Sequence, residues 1–322
     1  MLTRVPIGQA GEKVRHCASR ATLLLAGLAV LGGAPAALGQ NTAPTGEAPG
    51  APVSVNLNIT PKRLVLDRGS RAGTVYIFNQ GNAAATFDIS LVERVMLPNG
   101  EIRAVAGAPA DPAVQLSISR LASAQKMLVA TPRRVTLAPG KGQTIRIRAM
   151  QPANGTGEHR THLTVATVPP RETGLTAEQA QSAASGQLSF RITSVFGLSV
   201  PVIVRPGPVD ARGAIENLRV ATAEISPSGT APGVSSPIVQ FELRRLGANS
   251  LFGNVEVRAV RGRGRDVLGL ARGVGVYPEI DRRTMQIPLK RALKPGEQIE
   301  IEFTDDDATP GRVIARSTLT AT

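Results

Sequence analysis

Apolar side chains occupy nearly every second position between residues 187 and 204, over a length that exceeds an ordinary strand. The even positions carry this pattern: Leu188, Phe190, Ile192, Ser194, Phe196, Leu198, Val200, Val202 and Val204. Successive side chains of a strand point to opposite faces, so this set shares one face. At roughly 3.3 Å per residue the run would extend about 55 Å, whereas a common strand measures about 17–20 Å. One small domain cannot bury so long a row. Part of it therefore joins a second sheet or stays open to pair with another chain.

Shorter alternating runs, separated by Pro, Gly, Asn and Asp turns, fill most of the remaining chain. In the first half they predict strands near 53–59, 64–66, 72–78, 85–95, 126–130, 133–137, 144–148 and 162–168. In the second half they predict strands at 214–225, 237–246, 253–260, 266–272, 283–289, 297–303 and 311–320. The stretch 104–113 is predicted to be a surface loop, and no helical periodicity of useful length is present. About seven short strands in about 110 residues is typical of an immunoglobulin-like sandwich. The fold predicted is all-β, with two such sandwiches in tandem and a cleft between them.

Local composition predicts the domain boundaries and the segments that flank the domains. Basic residues, an apolar stretch from Ala21 to Leu31 and small residues up to Gly39 predict a cleavable export signal over 1–39, with an N-terminal membrane anchor as the alternative. Residues 40–52 form a Pro/Gly/Ala-rich leader that is predicted to be disordered. The N-terminal domain is then predicted at 53–205, a hinge at 206–208 (Pro-Gly-Pro) and the C-terminal domain at 209–322.

Charge and cysteine content narrow the range of partners and chemistry that the sequence predicts. The full sequence has a formal net charge of +13 and one cysteine, Cys17, which lies in the predicted signal. Residues 40–208 have 17 basic and 9 acidic side chains, whereas residues 209–322 have 16 and 14. Nucleic-acid binding is not expected, because the aromatic stacking platforms that it often uses are nearly absent. The basic first half fits an anionic membrane surface or a partner's carboxylate better.

No constellation of residues indicates catalysis, and no cofactor is expected. The two histidines outside the predicted signal, His159 and His162, lie three apart on a strand and point to opposite faces. They are interpreted as a partly exposed pair at a strand edge rather than as metal ligands. The acidic run Asp305–Asp307 could hold a calcium ion, but a solvated turn is the favoured interpretation. We therefore expect a protein that is not an enzyme and holds no metal.

Four segments together resemble the periplasmic chaperones of the chaperone–usher pathway (PapD-like), which assemble bacterial surface pili. They are Pro61–Leu66 with Gly73–Asn79, Pro132–Gly140 with Gln143–Ile147, His159–Leu163 with Val168–Pro170, and Val200–Pro206. The resemblance covers roughly residues 53–208. The C-terminal half matches only in size and β character.

The resemblance implies a periplasmic location and a mechanism called donor-strand complementation. In that family a chaperone strand fills the groove of an incomplete pilus subunit, which is then delivered to an outer-membrane usher. By position the donor residues here are Phe190, Ile192, Ser194 and Phe196, of which Ser194 departs from the apolar pattern. The alternative is that the even positions face the protein's own core, and for Leu198 to Val204 this is the favoured interpretation.

The family also holds the subunit's terminal carboxylate with a basic pair between its domains. Arg63 falls on the arginine position, and a solvated strand arginine is the alternative. Pro201 occupies the lysine position, which departs from the basic pair of the family; Lys62 or Arg205 are the substitutes that the sequence offers.

Two classes of function remain open. The first is a chaperone for pilus or related surface subunits, with an outer-membrane usher as its second partner. The second is an exported structural or adhesive protein that self-associates through an edge strand. An enzyme or a carbohydrate-binding module has little support, because neither paired acids nor aromatic platforms stand out.

Overall fold

The computed structural model describes residues 56–150, 155–169, 195–226, 233–261 and 264–321. They belong to one compact unit, Pro52–Thr322. Strands dominate it, as the two-residue apolar period predicted, and the all-β prediction is confirmed. The predicted signal (1–39), the predicted leader (40–52) and the predicted donor residues Phe190, Ile192 and Ser194 lie outside the described residues.

The first half consists of two sheets packed face to face. The first sheet has the order β1 (Leu57–Thr60), β3 (Ala72–Asn79), β9 (Gly142–Ala149), β7 (Leu128–Thr131). The second has the order β2 (Leu64–Asp67), β11 (Gly197–Arg205), β10 (His159–Thr167), β4 (Ala85–Val92), β8 (Arg134–Leu137). Pairing is antiparallel except between β2 and β11. The inward-facing residues form the first core, which includes Val75, Ile77, Phe87, Ile145, Ile147, Leu163, Val165, Val202 and Val204.

The second half repeats this architecture. One sheet has the order β12 (Gly213–Ile225), β13 (Val234–Arg245), β16 (Arg282–Pro288). The other has the order β15 (Gly264–Val276), β14 (Leu251–Arg261), β17 (Gln298–Asp305), β18 (Val313–Thr320). All seven strands overlap the predicted spans. Their apolar faces form the second core, which includes Val239, Phe241, Leu243, Val255, Val257, Ile287, Ile299, Ile301 and Phe303.

Strand β11 contributes to both cores. Val200, Val202 and Val204 are buried in the first core, as predicted, whereas Leu198, which was expected there too, is 36% exposed because β11 has left the core at that point. Ile203, on the opposite face of the strand, is buried in the second core together with Met96 from the first half. Met96 lies on a small hairpin of β5 (Arg94–Met96) and β6 (Ile102–Ala104). The two halves are therefore joined by apolar contacts as well as by the chain.

Among the described residues, a short α-helix and a single 3-10 turn at Gln125–Met127 were not predicted from the sequence. Helix α1 (Pro112–Ser119) follows the stretch predicted as a loop and overlaps its end. The Asp111 side chain accepts the backbone N–H groups of Ala113 and Val114, and Pro112 occupies the first turn, where its missing N–H costs nothing. Eight residues are too few for a helical period to be visible, so only the Asp-Pro start marked it. Among the described residues, no helix has the length and apolarity needed to cross a membrane.

Candidate functional site

Arg205, the last residue of β11, is the centre of an ion-pair cluster between the two halves. Its Nε donates to Glu158 Oε2 at 2.8 Å, and its Nη2 donates to Asp307 Oδ2 at 2.7 Å and to Ser250 Oγ at 3.1 Å. The side chains of Arg205 and Glu158 are 2% and 0% exposed. Burial opposes the charge of Arg205, but the Glu158 and Asp307 carboxylates outweigh it and raise the pKa of Arg205 above its ordinary value.

Arg63 lies beside this cluster, just before β2. Its Nη2 donates to the same Asp307 Oδ2 at 2.7 Å and to Ser250 Oγ at 3.2 Å. The guanidinium carbon stands 4.6 Å from the centre of the Phe252 ring, a cation–π arrangement. The Arg63 side chain is only 8% exposed, so the alternative of a solvated strand arginine is wrong. Its Nε and Nη1 are buried and have no hydrogen-bond partner among the described residues.

The other two basic residues considered for this site behave differently. Arg205 is already engaged by two carboxylates and is not free to replace the lysine expected at Pro201. Lys62 is exposed, and its Nζ donates to Asn58 Oδ1. Pro201 itself is half-buried on β11, opposite His162 of β10. Of the basic residues proposed from the sequence, only Arg63 therefore combines burial with unused donors.

The acidic run after β17 is not the solvated turn that the sequence favoured. Asp305 is buried and accepts the backbone N–H groups of Asp307 (3.2 Å) and Thr309 (2.6 Å), which fixes the turn. Asp307 reaches both Arg63 and Arg205, and only Asp306 is exposed. The run was misjudged because its basic partners lie more than 100 residues away in sequence. Among the described residues, no group of three or more His, Cys, Asp or Glu side chains could hold a metal ion.

A second buried pair joins the halves on the β10 side. Arg160 forms an ion pair with Glu279, and its guanidinium carbon lies 4.2 Å from the centre of the Tyr277 ring. Glu279 also accepts the backbone N–H of Met96 at 2.8 Å. Both charged side chains are 2% exposed or less. The sequence did not predict this pair, because Arg160 and Glu279 lie far apart in the chain and no local pattern connects them.

His162 is buried rather than partly exposed at a strand edge, because β10 is a central strand of its sheet. Burial, together with the positive charges of Arg160 and Arg94, lowers the pKa of His162 to about 3. The imidazole is therefore neutral in the folded protein near neutral pH. His159, on the opposite face, is half-buried.

The upstream part of β11 forms an open edge. Residues 197–204 pair with β10, but β2 covers only residues 202–205 on the other side. Among the described residues, Gly197–Pro201 thus has a strand neighbour on one side only. Phe196 continues this line, because its N–H and C=O both bond to Thr167 (2.9 and 2.8 Å). Along the even face, exposure rises from 0% at Val202 to 36% at Leu198 and 57% at Phe196.

No protein-family model matches the sequence, and no curated protein matches it. Among solved structures the chain is similar to fimbrial chaperones. The class 5 fimbriae chaperone CfaA is 12% identical, with 83% of this chain and 99% of CfaA covered and a TM-score of 0.39. The CupB2 chaperone of Pseudomonas aeruginosa is 14% identical, with 82% and 99% covered and a TM-score of 0.38. The SafB chaperone of Salmonella enterica, in complex with the SafA pilin, is 12% identical, with 84% of this chain and 98% of the matched chain covered and a TM-score of 0.38.

The Arg205 cluster yields a prediction about stability. Replacing Arg205 by Gln leaves the Glu158 carboxylate buried without a cation, and we expect this to cost about 3–5 kcal/mol. Arg134→Gln is the matched control, because the Arg134–Asp88 pair is exposed and contributes at most about 1 kcal/mol. The free energy of urea unfolding, measured for the wild type and the two variants, gives the stability lost in each variant. Equal losses in the two variants would contradict a structural role for the buried pair.

His162 yields a prediction about pH. In the unfolded chain the imidazole binds a proton below about pH 6.5, whereas in the folded protein it does so only near pH 3. The unfolded state therefore binds more protons between these values, and stability falls as the pH drops, by up to about 1.4 kcal/mol per pH unit from this group. His162→Gln removes this contribution. We expect the urea-unfolding free energies of the wild type and the variant to diverge between pH 7 and pH 4.5. Parallel curves would refute the assignment.

Proposed function

We propose that this protein is a periplasmic, non-enzymatic chaperone that binds pilus or related surface subunits by strand addition and delivers them to an outer-membrane usher. The observation that carries the proposal is the open edge of β11, where an apolar row leaves the protein's own core. Val202 and Val200 are buried, whereas Leu198 and Phe196 on the same face are exposed. An exposed apolar edge is a liability in a free protein, because it templates pairing with other strands. A protein that retains one has a use for it in binding.

Strand addition would use both parts of this edge. The free backbone groups of Gly197–Pro201 would pair with the edge of a subunit that lacks a strand. Phe196 and Leu198, with the predicted upstream donors Phe190, Ile192 and Ser194, would enter the subunit's groove. Each buried apolar side chain would contribute roughly 1.5–3 kcal/mol before ordering costs.

Arg63 would hold the terminal carboxylate of the subunit. The site lies between the halves, where the side chain is buried and two of its nitrogens lack an acceptor among the described residues. A charged hydrogen bond in such a desolvated place is stronger than one in water. Since neither Pro201 nor Arg205 supplies a second free cation, Arg63 would act without the lysine of the family pattern.

The edge is tested with Phe196→Asp, and with Val195→Asp as its matched control. Val195 is equally exposed, at 60%, but occupies the opposite face of the chain. Phe196→Asp removes about 1.5–3 kcal/mol of apolar burial and places a charge in the groove, so we expect subunit binding at least roughly a hundredfold weaker. The measurement is co-purification and titration with exported β-sheet subunits encoded near the chaperone gene.

Both variants are expected to keep the wild-type urea-unfolding midpoint, because both positions are exposed. Equal weakening by Val195→Asp would argue against a one-faced donor strand. Absence of binding to any subunit, together with concentration-dependent self-association that Phe196→Asp abolishes, would favour the alternative of a self-associating structural or adhesive protein.

Arg63 is tested with Arg63→Gln against two forms of a subunit's C-terminal peptide. We expect the free-acid peptide to bind roughly tenfold to a hundredfold more weakly to the variant than to the wild type. The amidated peptide should bind the two proteins alike, because it offers no carboxylate. Equal losses for both peptides would show that Arg63 acts through the structure around Asp307 rather than by holding a carboxylate.

A further inference from the structure

The outer face of the first sheet carries two arginines on one strand. In β9, Ile145 and Ile147 point into the first core and are 0% exposed, so Arg146 and Arg148 point outward, where both are exposed. We call this surface the arginine face. It consists of Arg146 and Arg148 with their cross-strand neighbours Ala72 and Thr74 on β3 and Val129 and Thr131 on β7.

The charge of the arginine face is not compensated. Neither Arg146 nor Arg148 forms an ion pair with any described residue. Some other exposed arginines do: Arg134 pairs with Asp88, and Arg316 pairs with Glu302. The register shows the reason, because Arg146 lies between Thr74 and Thr131, and Arg148 lies between Ala72 and Val129. No cross-strand position offers a carboxylate to these two cations.

The face is also recessed. Small side chains on both flanking strands leave a groove of about 970 Å³ along β9, lined by the arginine face and by Gly73, Gln143, Thr144, Ile147 and Met150. Val129 and Met150 expose apolar surface at its β7 side, at 45% and 60%. The groove therefore combines two cations, threonine hydroxyls and an apolar border.

We propose that the arginine face binds an extended acidic segment of a partner protein, with carboxylates at alternate positions. Side chains at i and i+2 of a strand lie about 6.6–6.8 Å apart on one face. Arg146 and Arg148 have this spacing, and so do the carboxylates of an extended Glu-x-Glu segment. Each guanidinium can then take one carboxylate through two parallel hydrogen bonds. The flanking threonine hydroxyls can pair with the segment's polar groups.

A protein segment fits this groove better than a membrane surface does. A single extended chain can enter the recess between β3 and β7, whereas the plane of lipid headgroups would contact only its rims. The surface lies on the sheet that does not contain β11. This interaction is therefore additional to subunit binding, and its test needs no subunit.

The test uses three fluorescein-labelled nine-residue peptides and the full chain. One peptide alternates Glu and Thr, one has the same composition with its Glu residues contiguous, and one replaces every Glu by Gln. We expect the alternating peptide to bind most tightly by fluorescence anisotropy, and its affinity to fall with added salt. Arg146→Gln combined with Arg148→Gln should weaken it about tenfold. Arg219→Gln combined with Arg272→Gln removes two other exposed arginines and should leave binding unchanged.

Equal binding by the alternating and contiguous peptides would overturn the register argument. Equal affinities of the two double variants would overturn the assignment to the arginine face. Binding to phosphatidylglycerol vesicles that depends on Arg146 and Arg148, without peptide binding, would assign the face to a membrane surface instead. Should the Gln pair unfold, Arg146→Lys combined with Arg148→Lys keeps the charges but loses the paired hydrogen bonds. It should bind with intermediate affinity, and unchanged affinity would contradict bidentate recognition.

Discussion

The structure depends on a charge that is buried where the two sandwiches meet. A guanidinium removed from water needs carboxylates close enough to offset the lost hydration, and Arg205 receives one from each side. Glu158 comes from the first half and Asp307 from the second. Arg160 and Glu279 form a second buried pair, one partner from each half. Because an isolated buried charge is costly, loss of either sandwich would leave buried charges of the other without their partners.

Strand β11 connects the buried Arg205 at its C-terminal end with the open edge at its N-terminal end. Its C-terminal end is held by Arg205, its middle contributes valines to one core and Ile203 to the other, and its N-terminal end leaves both cores. The exposed row at Leu198 and Phe196 therefore continues a strand whose other end is held in both cores.

Much of the fold could be predicted from the sequence because strand pattern is local. The spacing of Ile145 and Ile147 on β9, or of Ile299 and Ile301 on β17, specifies a buried face without knowledge of the partner sheet. The burial of Val200, Val202 and Val204 followed from the same reasoning. Helix α1 did not, since eight residues carry no visible helical period.

The candidate site was only partly predictable, because it is made by contacts between distant segments. Arg63 was identified through a family resemblance, but its neighbours Ser250, Phe252 and Asp307 come from the second half. Asp307 looked like a solvated turn residue, and His162 like an exposed strand residue, because local sequence does not report what packs against a side chain. No fixed spacing in the sequence marks an ion pair between two domains, so such pairs are not recognised from the sequence.

A single oxygen of Asp307 serves both Arg63 and Arg205. In the proposed function, a carboxylate bound at Arg63 would therefore be held by a guanidinium that also donates to the Asp307 oxygen engaged by Arg205. Binding at Arg63 and the strength of the interdomain ion pairs would then be linked in one thermodynamic cycle. By reciprocity, a change that weakens those ion pairs would alter the affinity for the proposed subunit, so release would need no contact with the subunit itself.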